Sequence, residues 1–225
     1  SMARRNYSDQ FMAERIGITM RVGQAAGSGE PRDCLAQDWA RYMAALAPDV
    51  AWMPIPNLGA AVAEFIQHWQ LDGFILSGGN DLGNCPLRDK TENTVIDHAV
   101  RNAHPVFGVC RGLQLLQQRG GGALRRCEPK THLAQKHTVH LRTDLLEFDA
   151  PGRATVNSFH NWAVPTNTLA PSLELLAASE DGCVEAVRHR AAPIAAVQWH
   201  PERDGDNLQA QLDQNLLCTT LGWKE

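Results

Sequence analysis

The 225 residues are 44% hydrophobic and carry a formal charge of -4 from 21 basic and 25 acidic side chains, which suits one large α/β domain over residues 1–225 better than two small ones. No basic run is interleaved with aromatics, which argues against a nucleic-acid surface, and the longest apolar stretches are strand-sized, short of the roughly 20 residues a membrane span needs. The start, SMARRNYSDQFMAERIG, has basic residues without an apolar h-region, so a cytoplasmic enzyme or binding protein is the expectation.

In chain order, RIGITMRV reads as a first strand and GQAAGSGEPRD as a long polar loop. CLAQDWARYMAALAP spaces Leu35, Trp39, Met43 and Leu46 along one helix face and stops at Pro48. VAWMPIP is a short second strand, residues 59–70 a helix, and DGFILSGGND a buried strand entering a double-glycine turn. A polar loop, a helix from about Thr91 to Asn102 and the strand PVFGV follow. This alternation predicts an α/β, three-layer fold with a mostly parallel central sheet and helices on both faces. From there KHTVHLR, ATVNSF, LELLAASE, CVEAVRHR and IAAVQWH are short strands between turns, with one helix from about Gly205 to Leu217, an added antiparallel extension. The six cysteines, Cys34, Cys85, Cys110, Cys127, Cys183 and Cys218, form no CxxC pair and read as reduced, mostly packed thiols.

Cys110 differs from the other five. It lies between Gly108 and Gly112 where a strand becomes a helix, and in open α/β sheets reactive groups gather beyond the carboxyl ends of the strands. A sharp strand-to-helix turn exposes a nucleophile and tolerates only small neighbours. The helix start favours a thiolate and offers N–H groups to an oxyanion. A nucleophilic cysteine needs a base. His200 ends the strand in AAVQWHPER, and Glu202, two residues on, is placed to orient its imidazole. LSGGND at 76–81 is a second strand end with two glycines, and the N–H of Gly79 joins that of Arg111 as a candidate oxyanion donor.

GVCRG, QWHPE and LSGG resemble the class I glutamine amidotransferase superfamily, whose flavodoxin-like catalytic module hydrolyses gamma-glutamyl amides through a Cys-His-Glu triad. CRG, VNSFHNWAV and EDGCVEAV are similar to its gamma-glutamyl hydrolase, peptidase C26-like, branch. EPRDCLAQDW, IPN, DGFILSGGNDL and RDKTE resemble the gamma-glutamyl-CDP-amidate hydrolases of capsular phosphoramidate biosynthesis, which release cytidine diphosphoramidate and glutamate.

The resemblance implies that Cys110 attacks the gamma-carbonyl, that Gly79 and Arg111 amides hold the oxyanion and that His200 protonates the leaving nitrogen. It implies that Gln114 holds the glutamyl group and that Ser158, Phe159 and His160 line its amino-acid end; an exposed helix residue at 114 and a loop histidine at 160 stay open. Arg32, Asp33, Arg88 and Asp89 fall in loops after strand ends, where Arg32 and Arg88 could meet a nucleotide diphosphate or remain solvated. His132, His137 and His140 near Cys127 match no tight metal pattern, so neither metal nor cofactor is expected. A glutaminase subunit feeding ammonia to a separate synthase and a non-enzymatic binding module are the competing functions. A small-molecule gamma-glutamyl substrate is the expected partner, and a homodimer is the assembly considered.

Overall fold

The computed structural model describes residues 12–127, 133–146, 149–150, 152–203 and 207–223. Five strands, β1 (Arg15–Thr19), β4 (Ala51–Ile55), β5 (Gly73–Leu76), β6 (Val106–Val109) and β13 (Ile194–Val197), run parallel in the order β4-β1-β5-β6-β13. The sheet continues antiparallel through β12 (Val184–His189), β11 (Leu173–Ser179), β8 (Leu133–Leu141) and β9 (Arg153–Phe159), making nine strands. Two short strands, β7 (Arg125–Arg126) and β10 (Trp162–Ala163), form a separate antiparallel pair. The fold is therefore the predicted three-layer α/β sheet with an antiparallel extension.

Alternation along the strands explains the layers. Ile75, Phe107 and Val197 join one core with Trp39 and Met43 of α1 (Gln37–Leu46) and Leu212, Leu216 and Leu217 of α5 (Asn207–Leu221). Their neighbours Phe74, Leu76 and Ala196 point the other way. There they meet α2 (Val62–Trp69), α3 (Pro86–Asn102) and α4 (Arg111–Arg119) through Ile66, Val95 and Leu113. Period-two side chains thus serve both faces of a sheet covered on each side.

Three expectations change. The first strand is broken at Met20, after which β2 (Arg21–Gln24) pairs antiparallel with β3 (Pro31–Cys34) as a separate hairpin where a loop was expected. Both hairpin strands are largely exposed, so no apolar alternation announces them. α3 starts at Pro86 rather than near Thr91, with proline at its first position and Arg88, Thr91, Glu92, Val95 and Ile96 on its buried face. Arg88 and Asp89 are therefore helical, not in a loop. The last helix runs to Leu221, and the expected start at Gly205 lies outside the described residues.

Candidate active site

β6 delivers Cys110 to the N-cap of α4 with φ 51 and ψ -95, a backbone conformation that costs a non-glycine residue energy and marks sites where geometry is forced. The flanking glycines are required by contact. A Cβ on Gly108 would lie 2.9 Å from both the Ala196 Cβ and the Gly112 carbonyl carbon, and one on Gly112 would lie 2.9 Å from the Leu76 carbonyl oxygen. The turn is pressed between two neighbouring strands, which is why cysteine stands between glycines here. The Cys110 N–H donates to the Val197 carbonyl at 2.8 Å, and the side chain is 6% exposed.

β13 ends just before His200, bringing it beside the elbow because β6 and β13 are parallel neighbours. His200 Nδ1 is 2.7 Å from Glu202 Oε1, and the imidazole also hydrogen-bonds the Cys110 side chain. Burial disfavours a charged ring, but these two bonds and the charges behind them prevail and raise His200 to about 9. The imidazolium is thereby kept through neutral pH. Asn157 of β9 fixes the His200 backbone twice, its Oδ1 accepting from the N–H and its Nδ2 donating to the carbonyl, both at 2.9 Å. Gln198 Nε2 donates to the Cys110 sulfur at 3.6 Å. Sequence reasoning missed Gln198, although reading IAAVQWH as one strand sets it two residues before His200 and so on the same face.

Ser77–Asn80 closes the site from β5. A Cβ on Gly78 would come within 2.5 Å of His200 Cε1, so Gly78, not only the expected Gly79, shapes the site by letting the imidazole pack on backbone. Beneath this loop lies Arg88, fully buried. Its guanidinium donates to the carbonyls of Ser77 (2.7 Å), Gly78 (3.2 Å) and Gly79 (2.7 Å), and its Nε to Glu92 Oε1 at 3.0 Å. Thr19 Oγ1 also donates to Glu92 Oε1, at 2.8 Å. Arg111, the first residue of α4, has its side chain buried against Asp89 and Glu92. Arg88 cannot reach a substrate, because its donors are spent on the loop; the expectation that it binds one is corrected.

The remaining expected residues divide. Gln114 is buried and its Nε2 donates to the Trp162 carbonyl at 3.0 Å, while His160 Nδ1 lies 2.9 Å from the same oxygen. An exposed Gln114 is thus ruled out, and α4 is tied to the segment after β9. Ser158 is fully buried, and Phe159, 37% exposed, sets its ring edge-on to His200 at 5.9 Å between centroids. Arg32 stands on the exposed hairpin paired with Glu30 at 2.9 Å, and Asp33 accepts the Asn57 N–H at 2.8 Å. Nothing in the structure brings Arg32 to the elbow.

Cys127 and Cys183 do not compete as nucleophiles: burial, the largest cause, pushes their thiols up to about 12 and about 11. His137 Nε2 meets Glu185 at 3.1 Å and His140 Nε2 meets Glu180 at 3.7 Å, two separate carboxylates. His132 lies outside the described residues. Among those residues no cluster of three or more His, Cys, Asp or Glu could hold a metal, and no helix is long and apolar enough to cross a membrane.

A strained cysteine at a helix start, a charged imidazole bonded to it and a carboxylate behind that imidazole are the parts needed for acyl transfer through a thioester. Comparison with known proteins points the same way. The peptidase C26 family model matches residues 15–202. The chain is 30% identical to the gamma-glutamyl-CDP-amidate hydrolase of Campylobacter jejuni over 86% of its own length and 94% of that protein's. It is 32% identical to a glutamine-hydrolyzing GMP synthase subunit of Methanococcus aeolicus, over 75% of this chain and 85% of that one. The crystal structure of a glutamine amidotransferase from Thermotoga maritima superposes with a TM-score of 0.61 at 14% identity, covering 92% of this chain and 96% of the other, a likeness of fold.

Proposed function

The chain belongs to the peptidase C26 family, and we propose that it hydrolyses a gamma-glutamyl amide through Cys110, His200 and Glu202, releasing L-glutamate and an amine or phosphoramidate. The observation that carries this reading is the imidazole of His200 bonded to both Cys110 and Glu202 at a strained strand-to-helix turn. The Cys110 sulfur adds to the gamma-carbonyl carbon, and the oxyanion is held by the N–H groups of Gly79 and Arg111. His200 gives its proton to the leaving nitrogen as the C–N bond breaks, leaving a glutamyl thioester. Water, deprotonated by His200, then attacks the thioester and glutamate departs with the thiol restored. Gln114, Ser158 and His160 stand on the glutamyl side, with Gln114 and His160 joined through the Trp162 carbonyl.

Likeness to the Campylobacter jejuni enzyme over nearly the whole of both chains supports gamma-glutamyl-CDP-amidate as the substrate and cytidine diphosphoramidate, for capsule biosynthesis, as the product. Likeness to the Methanococcus aeolicus protein favours the second reading, in which glutamine is the substrate and ammonia passes to a partner synthase. Glutamate release from glutamine, gamma-glutamyl-aminobutyrate, a gamma-glutamyl dipeptide and gamma-glutamyl-CDP-amidate separates the two. Turnover of one conjugate well above glutamine, reduced by at least about 10⁴-fold in Cys110→Ala, is the expected result. Weak release from all four would shift the reading to the partner-dependent glutaminase. Equal release by the variant would remove Cys110 from the mechanism.

A further inference from the structure

If His200 protonates the leaving nitrogen, the departing half of the substrate lies against His200, away from the glutamyl side at Gln114 and Ser158. A small pocket of about 50 Å³ adjoins His200 and Glu202, lined also by Gly78 and Gly79, by the apolar Leu35 and Trp39, and by Arg21 and Arg203. Both arginines are anchored to parts of the reactive centre. The Arg21 side chain lies across Gly79, its Cδ and Nε 3.2 and 3.3 Å from where a Cβ of that glycine would stand. The Arg203 guanidinium sits 4.2 Å from the centroid of the Phe159 ring, which in turn packs edge-on against His200.

Arg32, Arg41, Arg88, Arg111, Arg119, Arg142, Arg188 and Arg190 each face a carboxylate within ion-pair distance. Arg21 and Arg203, like Arg15, Arg101, Arg125, Arg126 and Arg153, have no such partner among the described residues, and unlike those five they line the pocket. Glu202 shares the pocket, but its Oε1 faces the imidazole of His200, which offsets its charge. Two arginines lining a space the size of one small polar group suit a phosphate better than an amine.

We propose that Arg21 and Arg203 form the leaving-group subsite and that the group they receive is anionic and phosphate-bearing, an inference that rests on the hydrolase reading above. The pocket accommodates the phosphate nearest the scissile nitrogen. Whatever is attached beyond it extends past the exposed β2–β3 hairpin into solvent. The subsite thus uses two arginines that the sequence did not single out, in place of Arg32 and Arg88.

Two measurements test this on the full chain. Calorimetric binding of cytidine 5′-diphosphate should weaken by roughly tenfold or more in each of Arg21→Gln and Arg203→Gln, the loss expected for a charge-assisted bond. No binding to the wild type, or undiminished binding to the double variant, overturns the subsite. The ratio of kcat/KM for gamma-glutamyl-CDP-amidate over that for uncharged gamma-glutamyl-p-nitroanilide should fall by a similar factor, mostly through KM. An equal loss on both substrates overturns the proposal as well. Failure of the wild type to release glutamate from any gamma-glutamyl compound would remove the hydrolase reading, and nucleotide binding would still decide the anion subsite.

Discussion

Two pairs of arginines bracket the Ser77–Asn80 loop from opposite sides. Inside, Arg88 and Arg111 are buried and answered by Glu92 and Asp89, and Arg88 spends its remaining donors on three successive carbonyls of the loop. Outside, Arg21 and Arg203 rim the pocket with no carboxylate partner among the described residues. Residue type is the same and burial decides the role. A buried guanidinium must be saturated to be tolerated, so the inner pair acts on the protein's own backbone. A guanidinium that is exposed, as at Arg21, or half-buried, as at Arg203, and has no carboxylate partner among the described residues is free to act on a ligand. The inner pair should therefore affect every substrate alike, and the outer pair only those with a charged leaving group.

The sharpest test of that division is Glu202, which borders the outer pocket yet is bonded to the imidazole. Glu202→Gln should lower kcat by roughly a thousandfold or more, by analogy with losing the carboxylate of a hydrolytic triad. The loss should be equal for charged and neutral substrates; a loss confined to the charged one would break the comparison. The pH dependence carries a sign of its own. His200 is raised from 6.5 to about 9, with burial working against the shift and the bonds to Cys110 and Glu202 producing it. The proton needed by the leaving nitrogen is then present up to that range and lost above it. The alkaline limb of kcat/KM should fall near pH 9 in the wild type and at lower pH in Glu202→Gln, because a contribution that raises the imidazole is gone.

Arg88→Met tests the inner pair directly. It would leave three buried loop carbonyls without their donor and Glu92 with only Arg111 and Thr19 as partners, at a cost of about 3–5 kcal/mol measured by urea unfolding. Below the unfolding range, kcat should drop about a hundredfold on both substrates, the scale of losing one oxyanion donor. Arg88→Lys should restore little of it, since one ammonium cannot span three carbonyls. A stable variant with a loss restricted to phosphate-bearing substrates would return Arg88 to the ligand side.

This contrast also marks what the sequence disclosed. Cys110, His200 and the double glycine stand at strand ends, where a parallel sheet collects its functional groups, so their places follow from local pattern. The five parallel strands were readable because they are apolar runs between helices, even β4, of which only Ile55 is buried. Arg88 was not, because RDKTE has the composition of a solvated loop; only the i, i+4 phase of Arg88 and Glu92 with Val95 and Ile96 marks a buried face. The β2–β3 hairpin was hidden by its exposure, and with it the placement of Arg21 over Gly79. The packing of Gly78 under His200 joins positions more than a hundred residues apart, and no local pattern distinguishes it from Gly79.

The smallest effect belongs to a third flank, the antiparallel extension. Asn157 holds both backbone groups of His200, and its own N–H donates to Gln209 Oε1 of α5 at 3.2 Å, while Gln209 Nε2 donates to Asp213 Oδ2 at 3.3 Å. Trp199 Nε1 donates to the other oxygen of Asp213. Asn157 therefore reaches the reactive centre through the backbone at His200, while the contact of β9 with Arg203 is made separately, by Phe159. Asn157→Ala leaves the buried His200 N–H without its acceptor, the carbonyl keeping the Arg203 N–H at 3.2 Å, a cost of about 1–3 kcal/mol, and should reduce kcat by about tenfold with KM nearly constant. Charged and neutral substrates should suffer equally, as for the inner pair. A rise in KM for the phosphate-bearing substrate alone would mean that Asn157 acts through Phe159 and Arg203 rather than through the backbone at His200.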